Sequence, residues 1–408
     1  MIDRREILST AGNLGLLPSS VEKDYVLGWL LAGICNYPTI AKKWVFKGGT
    51  CLKKCYFETY RFSEDLDFTV IEETQLNVDS FTGAFRDISA WIYEKSGITF
   101  PSDKIRFEVF RNKRGRLAGE GRISYRGPIA PSARDLPRIK LDLTTDEILV
   151  LPPVNHSVLH PYSDAPEQGI VVQCYSYEEV FAEKVRALAE RARPRDLYDV
   201  INLFRQDGFH PASATIQEIV AKKCLFKEIP FPSMETLSPL KAQLVEDWAA
   251  MLRHQLPALL PVDAFWNELP AVFYWIKEGH RPATSASVPL APGEILMRQP
   301  AGTISVRGMT KTAPLEIIRF AASNRFCIEL DYVEEEGEHN VKIIEPYSLR
   351  QTQAGDLILC AVRTDTRALN RYRIDRIRKA QATHQAFSPQ YAIDLTPAVA
   401  ITVQTKAL

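Results

Sequence analysis

Residues 46–70 read FKGGTCLKKCYFETYRFSEDLDFTV. The alternation in Asp65-Leu66-Asp67-Phe68 predicts a strand with both carboxylates on one face and Leu66 and Phe68 in a core. Two neighbouring acids repel, and a cation between them relieves that repulsion. Hard oxygen donors suit Mg²⁺, which binds through one or two carboxylates together with substrate phosphates; Mn²⁺ is the alternative ion. Upstream, Gly48-Gly49-Thr50 forms a turn whose backbone can approach a phosphate closely. A lone acid pair or a lone diglycine is common. Their combination points to a metal-dependent site that handles a nucleotide.

A third acid follows in Arg138-Ile139-Lys140-Leu141-Asp142-Leu143. Its alternation predicts a half-buried strand with Lys140 and Asp142 on one face. Asp65, Asp67 and Asp142 on one sheet face could hold two Mg²⁺ ions for an in-line displacement, with Lys140 placed to meet phosphate charge. An exposed Lys–Asp pair is the plainer alternative for this strand taken alone.

Further along, Ser176 and Glu179 form a capping-box pattern for a helix that carries Val180, Lys184 and Leu188 on one face. Lys184 inside an apolar stripe reads, on its own, as a snorkelling side chain. Pro194 opens a second helix with Leu197, Val200, Ile201 and Phe204 as its stripe, and Gly208 is a plausible stop.

These blocks resemble the AbiEii-type nucleotidyltransferases of the DNA polymerase beta-like superfamily, which include type IV toxins and MenT-like toxins. The resemblance rests on Glu22-Lys23-Asp24-Tyr25, Lys47-Gly48-Gly49-Thr50, Arg61 to Phe68, Ile139 to Leu143, Glu183-Lys184, and Arg195-Asp196-Leu197-Tyr198-Asp199. It spans roughly the first two-thirds of the chain. It implies NMP transfer from an NTP to an acceptor, with the tRNA 3′ end expected, an antitoxin partner, and a role in growth arrest or phage defence. It makes Asp65, Asp67, Asp142 and Lys184 the catalytic set, with Lys184 on the triphosphate. Lys47, Gly48, Gly49, Thr50, Ser63, Lys140 and Asp196 then line the nucleotide, and Asp199 orients Arg195 or Tyr198; structural salt bridging is the alternative for Asp196 and Asp199.

The hydrophobic and charged fractions, 46% and 25%, fit a globular chain, and a formal net charge of zero gives no global pull toward nucleic acid. Locally, 104–126 is basic, with Phe107, Phe110 and Tyr125 interleaved, and reads as an RNA-tracking hairpin or a solvated one. The seven cysteines are scattered. Cys51 and Cys55 share a helical face, no pair has zinc spacing with a histidine nearby, and buried thiols in a reducing cytoplasm are expected. His156 and His160 have no evident metal partner. No signal peptide or membrane span is predicted.

Proline-rich 281–312 reads as a linker between a nucleotidyltransferase domain, 1–280, and a C-terminal domain, 313–400. The latter shows a helix over 313–324, then strands over 327–333, 341–345, 357–362 and 371–377. Ile344 to Leu349, Gly355 to Ala361 and Arg371 to Ile377 resemble a WYL domain, with Leu357-Ile358-Leu359 in place of the naming tripeptide. That resemblance implies a small Sm/SH3-like β-barrel that binds a nucleotide or nucleic acid through Arg371, Arg373 and Arg376; a structural salt-bridge network with Asp365 and Asp375 is the alternative for these arginines. The expected fold class is α/β (α+β): a polymerase beta-like core with a helical C-terminal portion, plus this barrel. Two rival functions stand beside RNA modification: NMP transfer to protein, and a non-catalytic WYL-based regulator.

Overall fold

The computed structural model describes all residues except 15, 58–60, 130–134, 207–208, 210, 281–285, 297–312, 336 and 396–408. The chain opens with α1 (Arg4–Leu14), α2 (Pro18–Asn36) and the single turn α3 (Pro38–Ala41). Strand β1 (Trp44–Lys47) runs into the short α4 (Gly48–Cys51), a π-helical turn (Leu52–Tyr56) and β2 (Asp65–Val70). Helix α5 (Val78–Ser96) follows, capped by the Asn77 side chain and stopped by left-handed Gly97. The remaining strands of this half are β3 (Ile105–Arg111), β4 (Leu117–Ser124), β5 (Arg138–Thr144), β6 (Val154–Ser157) and β7 (Val171–Cys174).

These seven strands form one mixed sheet in the order β3-β4-β5-β2-β1-β7-β6. The period-2 pattern sorts its two faces. Trp44, Phe46, Leu66, Phe68, Ile139, Leu141 and Leu143 are buried against α2 and α5 residues such as Leu30, Phe85 and Ile88. The opposite face carries Lys47, Asp65, Asp67, Lys140 and Asp142, because those residues occupy the alternate positions. Strand β5 is interior, not an edge, since it lies between β4 and β2.

A helical layer comes next: α6 (Tyr177–Arg191), α7 (Pro194–Arg205), α8 (Ser213–Lys227), α9 (Met234–Leu237), α10 (Lys241–Leu252), α11 (Asp263–Trp266) and α12 (Leu269–Glu278). The Ser176 hydroxyl caps α6 by accepting from Glu179 N–H. The Glu179 carboxylate does not close the predicted box. It accepts from Val150 and Leu151 N–H and pairs with Lys223. Helix α7 ends at Arg205, and Gly208 lies outside the described residues. Of residues 256–276, only 263–266 and 269–276 are helical; 256–262 is irregular chain whose apolar side chains join the same core. Among the described residues no helix is long and apolar enough to cross a membrane.

Most of the proposed linker lies outside the described residues, but part of it is strand β8 (Glu294–Leu296), which pairs with β10. The C-terminal region is α13 (Ala313–Asn324) with β9 (Phe326–Val333), β10 (His339–Thr352), β11 (Leu357–Arg363), β12 (Leu369–Arg373) and β13 (Ile377–Ala386). The expected strand over 371–377 is interrupted: a 3₁₀ turn at Ile374–Arg376 separates β12 from β13. The second sheet follows the order β12-β11-β10-β9-β13. Closure into a barrel is not among its described pairings. The architecture is therefore mixed α/β with a separate C-terminal sheet.

Candidate active site

Strands β2 and β5 are parallel neighbours, and their register sets Asp67 directly beside Asp142 and Asp65 beside Lys140. Strand β1 pairs with the other edge of β2 and sets Lys47 opposite Asp67. The acids come from segments 75 residues apart (142 − 67), and the α5 crossover brings them together. The repulsion expected from sequence is present. Burial raises the Asp67 carboxyl to about 6, with Asp142 adding to the rise and Lys47 and Lys184 opposing it. Asp65 is also raised, by burial first and against the pull of Lys23, with Asp142 adding to the rise.

The diglycine turn sits against this pair. Gly48 has φ +80°, and a Cβ there would lie 2.2 Å from Asp67 Oδ2. A Cβ on Gly49 would lie 2.4 Å from an Arg61 nitrogen. Both positions therefore require glycine, one for conformation and closeness, the other for closeness alone. Thr50 is fully buried, and its hydroxyl donates to the Asp65 carbonyl. It fastens the turn to β2. Ser63 is buried at the start of the segment that leads into β2.

Lys184 does not snorkel. It is buried and pairs with Asp199 at 2.7 Å and Asp196 at 3.4 Å. Arg61 grips both oxygens of Asp199 at 2.8 Å, and Arg191 holds Asp196 at 2.7 Å. Burial would raise Asp199, yet Arg61 and Lys184 hold it well below the ordinary aspartate range. Asp199 thus serves Arg61 and Lys184, and its charge also acts on the Arg195 guanidinium. The Arg195 guanidinium lies in the fields of Asp65 and Glu64, and its Nε is buried without a hydrogen-bond partner. Lys47 pairs with Glu183 at 3.2 Å and Glu147 at 3.7 Å. No local pattern announced Glu147 or the Arg61–Asp199 pair, because both depend on long-range contacts.

The donor set fits a hard divalent cation. Asp65 and Asp67 supply carboxylates whose proton affinity is raised by burial first and by the neighbouring acids, despite the lysines around them, a tension that a bound cation would relieve. Asp142 is drawn aside by Lys140 at 2.8 Å, which also reaches Glu120 at 3.3 Å. The three acids do not draw their oxygens within 4.8 Å of one another; among the described residues only Cys51, Cys55 and Cys174 converge in that way.

The Glu22 to Tyr25 motif is a set of tethers. Glu22 accepts from Ile129 N–H, Lys23 pairs with Glu64 at 2.9 Å, Asp24 with Lys54 at 2.7 Å, and the Tyr25 hydroxyl donates to Asp164. His160 is a packed aromatic against Tyr25, Trp29 and Tyr162, and burial lowers it to about 3.

The basic stretch is the β3–β4 hairpin at the sheet edge. Phe107 packs on Phe85 and Tyr125 is buried, so neither can stack on a base; Phe110 is exposed. Arg106, Arg111, Lys113 and Arg116 are exposed on the hairpin. In the C-terminal sheet, Arg371 pairs with Glu294, Arg373 with Asp375 and Asp356, and Arg376 with Glu335. Arg376 lies in the 3₁₀ turn and not on the strand face of Arg371 and Arg373.

Residues 29–269, more than half of the chain, match the family model of the nucleotidyl transferase AbiEii toxin of type IV toxin–antitoxin systems. No curated protein matches. Among solved structures, the nucleotidyltransferase toxin MenT4 of Mycobacterium tuberculosis is similar at 18% identity and a TM-score of 0.44, over 68% of this chain and 90% of that one. The proteasome accessory factor PafBC of Arthrobacter aurescens is similar at 13% identity and a TM-score of 0.18, over 93% of this chain and 74% of that one. On the strength of the family match, the chain belongs to the AbiEii family of nucleotidyltransferase toxins and is a nucleotidyltransferase.

Proposed function

We propose that the enzyme transfers NMP from an NTP to a hydroxyl of RNA, with the tRNA 3′ end as acceptor, and that a WYL-like C-terminal domain regulates it. The observation that carries the transferase site is the parallel register of Asp67 with Asp142 beside the Gly48 turn. Asp65, Asp67 and Asp142 would hold Mg²⁺, or Mn²⁺, which when bound neutralises charge on the triphosphate. Asp142 joins this set once Lys140 turns from it to phosphate. The Gly48 and Gly49 backbone grips the triphosphate, and Thr50 keeps the turn in place. Lys47, Lys184 and Arg195 supply positive charge around it. Ser63 and Asp196 line the nucleotide, Asp196 by fixing Lys184. The acceptor oxygen attacks the α-phosphorus, the bond to pyrophosphate breaks, and Asp142 takes the hydroxyl proton. Positioning and electrostatics provide most of the acceleration in such transfers.

RNA is favoured over a protein acceptor by the exposed cations of the β3–β4 hairpin. By family membership, an antitoxin protein restrains the enzyme in the cell. In the WYL-like domain, a nucleotide or nucleic acid would compete with the acidic partners of Arg371, Arg373 and Arg376. The Tyr198–Asn324 hydrogen bond joins α7 to α13 and would carry that signal toward Asp199.

The test is label transfer. Purified protein, Mg²⁺ and each labelled NTP are incubated with tRNA and with cell-extract protein, beside an Asp65→Asn control. Label on tRNA that vanishes in the control is expected. Label on protein alone would replace the RNA reading, and label unaffected by Asp65→Asn would remove that acid from the site.

A further inference from the structure

Outside the acid site, the fold gathers thiols. Cys51 ends α4, Cys55 lies one turn on in the π-helical segment, and Cys174 closes β7, more than a hundred residues later. All three are buried, with sulfurs within 4.8 Å of one another. Side-chain hydrogen bonds join Cys174 to both of the others. Cys35, at the end of α2, lies in the same neighbourhood. Cys224, Cys327 and Cys360 are placed in other parts of the core.

We propose that Cys51, Cys55 and Cys174 form a structural site for a thiophilic divalent cation of the zinc class. Tetrahedral zinc at about 2.3 Å from each sulfur sets the sulfurs about 3.8 Å apart, so the observed cluster needs only a small contraction. The i, i+4 spacing of Cys51 and Cys55 supplies two ligands from one turn, and the β1–β7 pairing brings the third. For the fourth position the candidate is His156, whose charge acts on Cys174. It lies on β6, two residues from Val154, the cross-strand partner of Cys174, on the same sheet face. Its ring packs on Tyr56 at 4.7 Å. The Tyr56 hydroxyl lies beside Cys174 and donates to the Tyr175 carbonyl at 2.6 Å; turned to the sulfur instead, it would give the thiolate an outer hydrogen-bond donor. Binding releases the thiol protons to solvent and involves no change of oxidation state. The cation would tie the turn that follows Gly48–Thr50 to β7, on the core side of the sheet and away from the acids.

The experiment uses the full chain, purified under reducing conditions. Metal content is measured after desalting, and the protein is then loaded with Co²⁺ alone. One zinc per chain and a sulfur-to-cobalt charge-transfer band in the near ultraviolet are expected. Carboxylates at the acid site give no such band, so Asp67→Asn should leave it intact. Cys51→Ser and Cys174→Ser should remove the band and the retained zinc, and Cys224→Ser should keep both. If the cluster variants do not fold, the wild-type band alone decides. Absence of the band from wild-type protein with all thiols reduced, or a disulfide among the three found by mass, would overturn the site.

Discussion

Asp67 carries an electrostatic tension that can be measured without a substrate. Its folded-state value of about 6 lies above the aspartate norm. Between about 4 and 6, the folded chain therefore holds a proton that the unfolded chain has released. In that window this group makes stability fall as pH rises, the reverse of a salt-bridged aspartate. Without divalent cations, Asp67→Asn should flatten that slope and raise Tm at neutral pH, while transfer is lost. Thermal unfolding in EDTA across the window checks this; an unchanged slope would show that Asp67 is not under strain. The adjacent glycine gives a second prediction. At φ +80°, with Asp67 Oδ2 where its Cβ would go, Gly48→Ala should cost about 1–3 kcal/mol. It should also weaken NTP binding, measured by urea unfolding and by ligand-induced Tm shift. Both residues were legible in the sequence because alternation and a diglycine are local signals. The engagement of Thr50 with the Asp65 carbonyl was not, since a hydroxyl does not announce which side of a turn it faces.

Helices α6 and α7 work as a clamp of buried ion pairs, in which Arg61 and Lys184 share Asp199 and Lys184 and Arg191 share Asp196. A buried pair broken from one side leaves an uncompensated charge, so Asp199→Ala should cost about 3–5 kcal/mol. Because Asp199 sits well below its ordinary value, its contribution is present at neutral pH and is lost as pH falls through the folded value. The stability gap between the wild type and Asp199→Ala should therefore be full above about pH 4 and narrow as pH falls below it, and a urea series over pH reads this directly. The existence of these helices followed from their apolar stripes. Their polar partners did not, because Arg61 meets Asp199 across 138 residues of chain. The same cause explains the C-terminal arginines, which read as a ligand cluster in sequence. Asp375, two residues from Arg373, was a visible partner, but Glu294, Glu335 and Asp356 come from other elements. The strand at Glu294–Leu296 was hidden by the proline content around it.

The two sheets are joined through a common core, not merely tethered. Leu315, Ile318 and Phe320 of α13 belong to the same buried cluster as Val200 of α7, Trp248 of α10 and Trp275 of α12. Glu268 holds Arg205 of α7 and Arg325, the residue just past α13, which bridges the same boundary with charge. Removing residues 281–408 would expose that apolar surface, so the 1–280 fragment should melt well below the full chain and tend to associate. A gentler probe is the hydroxyl of Tyr198, which donates to Asn324 from within the Asp196–Asp199 turn. Tyr198→Phe keeps the ring packed on Phe265 and leaves the Asn324 carbonyl oxygen without that donor. A lost hydrogen bond of this kind costs on the order of 1 kcal/mol. Because Tyr198 adjoins the aspartate that fixes Lys184, the variant should also shift NTP affinity, measured by titration with Mg²⁺ present. A stability loss with unchanged NTP affinity would make the contact structural only. A change in both would show that the C-terminal sheet and the acid site bias one another, as reciprocal linkage requires of any regulator acting through this interface.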